Sequence, residues 1–235
     1  MAAERLEIRL LGELEILRDG KVLPLPASKK TRALAGYLAA TRAPVSRDRL
    51  CELLWDTPDD PRAALRWSLT KIRPLVDAGK TTRLVAERDR VAIDTKGARV
   101  DWLAAQEIDP AHLESASLEA LRESAALFRG ELLEGLDLPD CFGWYEWLRG
   151  EREAARTRRM AVLSVLVKRL AADPAAALPY ARARVGLDPL DEAAHIDVLR
   201  LYGALGRTAE AEAQYQSLKR LLAADLDAKP SAAVE

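Results

Sequence analysis

The side chains best suited to chemistry are concentrated in residues 61–76. Four apolar residues in this segment recur at intervals of four, three and four residues and form one helical stripe: Leu65, Leu69, Ile72 and Val76. Away from the stripe, the segment carries side chains that can bind phosphates or contact bases: Arg62, Arg66, Trp67, Thr70, Lys71 and Arg73. The pattern predicts a helix that packs through a narrow apolar seam and presents a cationic face to an anionic partner.

A shorter helix is predicted just before this one, within residues 45–55, with Ser46 as its N-cap. A turn rich in proline and aspartate separates the two helices. Two consecutive helices of which the second is cationic indicate a helix-turn-helix, whose second helix lies in the major groove of DNA. We therefore call residues 61–76 the recognition helix. Its predicted base-reading residues are Arg62, Arg66, Trp67, Thr70 and Arg73. Of these, Arg66 and Thr70 are predicted to lie nearest the centre of the exposed arc.

Trp67 allows two interpretations. An exposed indole can stack on a sugar or contact a thymine methyl group. Because large aromatic side chains are usually well buried, we favour a position in the core or at a domain interface.

Cations around the recognition helix are predicted to hold phosphates: Lys29, Lys30, Arg47 and Lys71. Ser28 is expected to cap a helix over residues 29–40, and Lys29 and Lys30 lie in its first turn, where the helix dipole disfavours cations. A phosphate at this helix end would offset that cost, because exposed amides and lysine side chains both bind it. An ordinary solvated face explains the two lysines equally well.

A turn at Ala78-Gly79-Lys80 and two short strands, over residues 83–86 and 91–94, follow the recognition helix. A hairpin in this position is a wing, which is usually set beside or into the minor groove. Arg88 and Arg90 at its tip would be the residues that reach the DNA. Since Glu87 and Asp89 offset their charge, solvated turn charges are the slightly favoured interpretation.

The charge of the chain is divided between its two parts. Residues 1–97 carry 19 Lys and Arg against 14 Asp and Glu, a net charge of +5, whereas residues 98–235 carry 17 against 23, a net charge of −6. The overall value of −1 does not exclude DNA binding, because counterion release needs only a local cationic surface. Two cysteines do not make a disulfide framework, and no signal peptide or membrane-spanning run is recognised, so we expect a cytoplasmic protein.

Residue patterns that support catalysis are not found in the sequence. It contains no glycine-rich phosphate loop, no Cys/His cluster with metal-ligand spacing and no nucleophile motif. His112 and His195 are far apart in the sequence, and the favoured interpretation of His195 is a packed or half-exposed side chain in a helix. We predict no enzymatic activity, no cofactor and no metal site.

The remaining segments predict a small antiparallel sheet followed by helices. Alternating apolar residues indicate strands over residues 6–10 and 13–16, and Asp19-Gly20 indicates a hairpin turn before an edge strand over residues 22–25. Beyond residue 98, helices are predicted to about residue 128 and to about residue 172.

A helical repeat is predicted from Asp173 onward. Ala177 and Ala211 are 34 residues apart, the period of a tetratricopeptide helix pair. In the second unit, further residues fall at the small and aromatic packing positions of that repeat: Tyr202, Gly206, Tyr215 and Leu218.

The order of sheet, helix, helix, cationic helix and wing resembles the OmpR/PhoB-type winged-helix DNA-binding domain. Residues 44–50 with Leu54-Trp55, and residues 69–75, are similar to its variant in bacterial antibiotic-regulatory-type transcriptional activators. Two features depart from that pattern. Arg90-Val91 stands where many wings carry Gly-Tyr, and Pro74 lies inside the recognition helix, where the loss of a backbone hydrogen bond predicts a kinked or frayed last turn.

Residues 98–231 resemble the bacterial transcriptional activator domain. The matching phrases are residues 128–133, 147–152, 187–192 and 206–207. Both resemblances together imply an α+β N-terminal winged helix-turn-helix at residues 1–97, followed by an all-α tetratricopeptide-like helical domain at residues 98–235. They imply a sequence-specific activator that binds double-stranded promoter DNA, recruits RNA polymerase holoenzyme and often forms a side-by-side dimer on direct repeats.

Two other functions remain open from the sequence. In one, the chain is a protein-interaction adaptor, whose helical repeats bind a partner and whose winged helix serves for docking. In the other, it is the regulatory front end of a larger signalling ATPase, because some members of the family continue into an ATPase or another sensor domain.

Overall fold

The chain forms two compact units. The computed structural model describes residues 5–55, 60–78, 81–231 and 234. The first unit comprises Met1–Glu107 and Leu127–Ala155, and the second comprises Ile108–Ala126 and Arg156–Glu235. The predicted domains, 1–97 and 98–235, are consecutive in the sequence, whereas these units are interleaved along it.

A four-stranded sheet begins the first unit. Its strand order is β3-β2-β1-β7, with β1 (Leu6–Arg9), β2 (Glu15–Arg18), β3 (Lys21–Val22) and β7 (Arg99–Val100). Asp19 and Gly20 both have positive φ, 50° and 79°, as a tight hairpin turn requires. The edge strand is shorter than predicted and ends at Val22, before the two prolines. β7 runs parallel to β1, a pairing that the local pattern did not predict.

Three helices and a second sheet follow. Each helix has an N-cap side chain that accepts a hydrogen bond from a backbone amide in the first turn. Ser28 accepts from Thr31 and Ser46 accepts from Arg49, as predicted for these two caps. The carboxylate of Asp60 accepts from Ala63 at the start of the third helix. The second sheet has the order β4-β6-β5. The bounds are α1 (Lys29–Ala40), β4 (Val45–Ser46), α2 (Arg47–Leu54), α3 (Pro61–Val76), β5 (Leu84–Ala86) and β6 (Arg90–Ile93).

These elements confirm the predicted winged helix-turn-helix fold: α3 occupies the position of the predicted recognition helix, and β5 with β6 forms the hairpin predicted as the wing. Residues 56–59 of the turn between α2 and α3 lie outside the described residues, as do Gly79 and Lys80 of the predicted turn after α3.

Residues 127–155 are part of the core of the first unit. Leu133 is fully buried, and its amide donates to the carbonyl of Leu10 at 2.7 Å. Gly12 continues the contact, because its amide donates to Glu131 and its carbonyl accepts from Glu134. Segment 127–136 thereby extends the main-chain hydrogen bonding of the N-terminal sheet, and the side chain of Leu133 packs against Gly36 of α1.

Asp101 fixes the start of α4 (Asp101–Gln106) against the N-terminal sheet. Its carboxylate accepts from the amides of Leu10, Leu11 and Trp102 at 2.7 to 3.1 Å. Burial raises the pKa of Asp101, while these three donors and the charge of Arg129 act in the opposite direction. A carboxylate so nearly buried is tolerated because each of its oxygens has a donor.

The second unit is helical. It contains a 3₁₀ helix (Pro110–Ser115), α5 (Leu118–Ala126), the second half of α6 (Phe142–Arg169), α7 (Pro174–Leu187), α8 (Glu192–Ala204) and α9 (Thr208–Leu226). α5 ends at Ala126, slightly before the predicted end at about residue 128, and α6 ends at Arg169, before the predicted end at about residue 172. No helix in the described part of the chain is long and apolar enough to cross a membrane.

Successive packing of α7 on α8 and of α8 on α9 confirms the tetratricopeptide-like arrangement. Ala177 is fully buried where α7 approaches its neighbours, and Tyr202 and Leu218 are buried as predicted. His195 is also packed, as predicted: its Nε2 lies 3.0 Å from the carbonyl of Pro189, and its Nδ1 lies 2.8 Å from the side-chain Nε2 of Gln214.

Gly36 in α1 gives a test of the role of segment 127–136 in the first unit. A Cβ at Gly36 would lie 2.6 Å from Cδ2 of Leu133, which is fully buried. We expect Gly36→Ala to lower the free energy of unfolding by about 1–3 kcal/mol, because the added methyl group overpacks this site. Urea unfolding of the intact chain measures the change.

Gly150→Ala in α6 is the matched control, because a Cβ there meets no atom within 4 Å. The control should stabilise the protein by about 0.5–1 kcal/mol, the usual gain for Ala over Gly in a helix. If both substitutions changed the free energy of unfolding in the same direction, the result would contradict the packing of Leu133 on α1.

Candidate nucleic-acid interface

α3 exposes the predicted base-reading face. Its apolar stripe is buried together with Ser68 and Leu75, while these predicted residues are exposed: Arg62, Arg66, Trp67, Thr70 and Arg73. On a helical wheel the three arginines fall within about 40° of one another, and Lys71 lies at the opposite edge of the exposed arc. The guanidinium groups thus share one side of the helix surface.

The favoured interpretation of Trp67 as a core or interface residue is wrong. Its side chain is 52% exposed. Trp67 stands two residues from Leu65 and from Leu69, so it points about 160° away from the seam that these leucines form. Nζ of Lys71 lies 5.4 Å from its ring centroid, a cation–π arrangement on the surface of the helix.

The end of α3 remains ordered despite Pro74. The helix continues to Val76, and both Leu75 and Val76 are buried. Nη2 of Arg18 in β2 donates to the carbonyls of Pro74, Leu75 and Asp77 at 3.1, 3.3 and 2.9 Å. The predicted fraying of the last turn is therefore wrong, because a guanidinium from the N-terminal sheet binds the carbonyls that the helix end leaves free.

Asp77 connects the end of α3 to the wing. One oxygen, Oδ1, accepts from the amides of Arg83 and Leu84 at 2.7 and 2.8 Å, where β5 begins. The other oxygen, Oδ2, lies 3.0 Å from Nη1 of Arg73. The same carboxylate therefore fixes the start of the hairpin and holds a predicted base-reading arginine.

Arg47 holds the tip of the wing. Its amide donates to the carbonyl of Asp89 at 2.9 Å, and its Nε donates to the carbonyl of Glu87 at 3.0 Å. Arg88 and Arg90 are both exposed on this hairpin. Arg47 thus has a structural role that the sequence did not indicate, and its predicted phosphate contact stays a prediction.

The first turn of α1 lies against the middle of α3. The hydroxyls of Thr31 and Ser68 share a buried hydrogen bond of 3.0 Å. Lys29 and Lys30 precede Thr31, and the first turn contains no acidic residue. These two predicted phosphate ligands are consequently brought close to the recognition helix.

Ion pairing divides the cations of this surface into two groups. The three arginines of α3 are paired with carboxylates: Arg62 with Asp48 at 2.6 Å, Arg66 with Asp60 at 3.8 Å and Arg73 with Asp77 at 3.0 Å. The hydrogen bond to Asp48 raises the pKa of Arg62 further. Within the described residues no ion pair is formed by the other cations: Lys29, Lys30, Lys71, Arg88 and Arg90.

Sequence reasoning missed three residues that organise this surface, namely Arg18, Asp48 and Asp77. Asp48 and Arg62 are 14 residues apart, and Arg18 is 56 residues from Pro74. Contacts at such separations have no local signature. Asp77 alone gave a signal, since a carboxylate just after a helix can bind the amides of a following turn.

A family model for the bacterial transcriptional activator domain matches residues 101–235. The chain belongs to this family. Regulatory protein AfsR of Streptomyces coelicolor is 28% identical over 246 residues, which cover 96% of this chain and 23% of AfsR. This chain therefore spans less than a quarter of that relative.

A solved structure shows the same fold at lower identity. It is Mycobacterium tuberculosis EmbR in complex with a low affinity phosphopeptide, with a TM-score of 0.69 and 22% identity. The match covers 98% of this chain and 63% of that chain. Together these findings confirm the resemblance to antibiotic-regulatory-type activators with a winged helix and a helical domain.

Two substitutions of Asp77 separate its hydrogen bonds to the start of β5 from its ion pair with Arg73. We expect Asp77→Ala to destabilise the intact chain by about 1–3 kcal/mol, because the amides of Arg83 and Leu84 lose their acceptor. Asp77→Asn keeps an oxygen for both amides and loses only the ion pair with Arg73, so we expect a change of about 0–1 kcal/mol. Thermal unfolding of both variants measures the difference, and equal losses would show that the hairpin does not depend on these two bonds.

Proposed function

We propose that this protein is a sequence-specific DNA-binding transcriptional activator and that α3 is the helix that enters the major groove. The observation that supports this most directly is the exposed arc of α3, which carries three arginines and Thr70. The buried seam on its other side fixes which residues face outward. Proteins that read DNA with a helix-turn-helix contact base edges with side chains of these types.

Residues of the arc differ in what they can recognise. An arginine can donate two parallel hydrogen bonds to O6 and N7 of guanine. The Thr70 hydroxyl donates to the carbonyl of Arg66 at 3.0 Å. Its oxygen therefore remains available only as a hydrogen-bond acceptor. We therefore propose that Arg66 reads a guanine and that Thr70 accepts a hydrogen bond from the amino group of an adenine or cytosine.

The unpaired cations supply phosphate contacts in this proposal. Lys29 and Lys30 lie at the start of α1, and Lys71 lies at the edge of the exposed arc of α3. Arg88 and Arg90 at the wing tip would contact the adjoining minor groove. These contacts orient the protein and provide the part of the affinity that depends on salt.

Recruitment of RNA polymerase holoenzyme and dimer formation on direct repeats are further parts of the proposal. Membership of the bacterial transcriptional activator domain family supports the first. The resemblance to antibiotic-regulatory-type activators supports the second. A factor of this kind acts in the cytoplasm, where bacterial promoters lie.

Replacement of Arg66 and Thr70 on the exposed arc tests DNA reading. Fluorescence anisotropy would measure binding of the intact chain to duplexes from the region upstream of its own gene and to random duplex, across a salt series. For Arg66→Ala combined with Thr70→Ala we expect each lost base contact to cost about 1–3 kcal/mol on the specific duplex and little on random duplex.

Arg122→Ala in α5 is the control, since it removes one exposed arginine from the second unit. It should leave both affinities unchanged. Equal, weak binding to every duplex that the α3 substitutions do not alter would contradict DNA reading by α3. That result would favour the adaptor hypothesis, in which the helical repeats bind a partner protein.

A further inference from the structure

Asp48 is positioned to act on DNA reading through Arg62. Asp48 lies in the first turn of α2, and its Oδ1 accepts from Nη2 of Arg62 in α3 at 2.6 Å. Both side chains are largely exposed, at 69% and 64%. This ion pair therefore connects α2, the first helix of the helix-turn-helix, to the exposed face of α3.

The carboxylate leaves most of the guanidinium available. A guanidinium has five N–H groups, and the bond to Asp48 uses one of them. Two parallel N–H groups are sufficient for a bidentate contact with O6 and N7 of guanine. Arg62 can therefore keep Asp48 as a partner and donate to a base edge at the same time.

The charge of Asp48 acts differently on phosphates and on bases. A phosphate is an anion, so a carboxylate beside Arg62 cancels much of the attraction that the guanidinium would exert on it. The edge of guanine carries no net charge, and its acceptors need directed donors rather than a free cation. An arginine with a carboxylate partner is consequently better suited to reading a base than to binding the backbone at any sequence.

The other two carboxylates that pair with α3 arginines have structural partners as well. Oδ1 of Asp60 caps α3 by accepting from the amide of Ala63, and Asp77 holds the start of β5. Asp48 forms its one described side-chain hydrogen bond with Arg62. A carboxylate in the first turn also complements the dipole of α2, so the experiment has to separate this effect from one on Arg62.

We propose that Asp48 is a positioning residue for DNA recognition: it orients Arg62 toward a guanine edge and suppresses binding of Arg62 to phosphates. This inference rests on the proposed function, because it assigns a role within the same recognition surface. Asp48 itself would not contact the base.

Selection of duplexes from a random-sequence library by the intact chain tests the proposal. Wild type, Asp48→Asn, Glu52→Gln and Arg62→Ala would each be taken through selection, and anisotropy would measure affinity for the wild-type consensus and for random duplex across salt. Glu52→Gln is the matched control, because Glu52 is an exposed acid of α2 whose ion-pair partner, Arg49, lies in the same helix.

We expect Asp48→Asn to bind random duplex more tightly, with a salt dependence steeper by about 0.9 in the log–log slope, as one more phosphate contact would give. Its preference for the consensus over random duplex should fall roughly 5-fold or more, toward the loss in Arg62→Ala. Both variants should lose the preference at the same guanine. In an Arg62→Ala background, Asp48→Asn should cause no further change in the preference. Glu52→Gln should leave the preference unchanged in both the wild-type and the Arg62→Ala background.

Equal behaviour of Asp48→Asn and Glu52→Gln would overturn the positioning role, because it would show a general effect of surface charge on α2. Loss of preference in Asp48→Asn that persists without Arg62 would also overturn it. If the wild type enriched no sequence at all, the proposed function itself would fail, and that result is distinct from an unchanged consensus in Asp48→Asn.

Discussion

The end of α3 depends on the guanidinium of Arg18. Pro74 has no N–H, and the last carbonyls of any helix lack partners within the helix. A cation at this end complements the helix dipole, and Arg18 supplies it while donating to three carbonyls. Asp77 then extends the connection to β5. The N-terminal sheet, the recognition helix and the wing are thus joined at one point, which fixes where the exposed face of α3 lies.

The cations near the exposed face of α3 differ in whether a carboxylate lies beside them. The arginines of α3 each have a carboxylate neighbour, whereas Lys29, Lys71 and Arg88 do not among the described residues. Unpaired cations attract phosphates at any sequence and govern salt dependence. Paired guanidiniums keep donors for base edges but attract the backbone less. Under the proposed function, this arrangement would let a protein of net charge −1 distinguish one site from bulk DNA.

Local patterns predicted the helices and the wing hairpin, because caps, hairpin turns and apolar periodicity are encoded within a few residues. They did not predict the parallel pairing of β7 with β1 or the bonds from Asp101 to Leu10 and Leu11, which span 91 and 90 residues. Trp67 shows a different failure. The periodicity of α3 already placed it opposite the seam, and the general tendency of tryptophan to be buried was given more weight than that geometry.

The family domain and the folding units do not divide the chain at the same place. The family match begins at residue 101, yet the first unit includes Leu127–Ala155. Leu133 explains why: its amide bonds to Leu10, and its side chain occupies the space that the absent Cβ of Gly36 leaves. Leu133 is therefore constrained by elements of the winged helix. A substitution at Leu133 would therefore change the packing of the first unit, although the residue lies within the stretch that the family model matches.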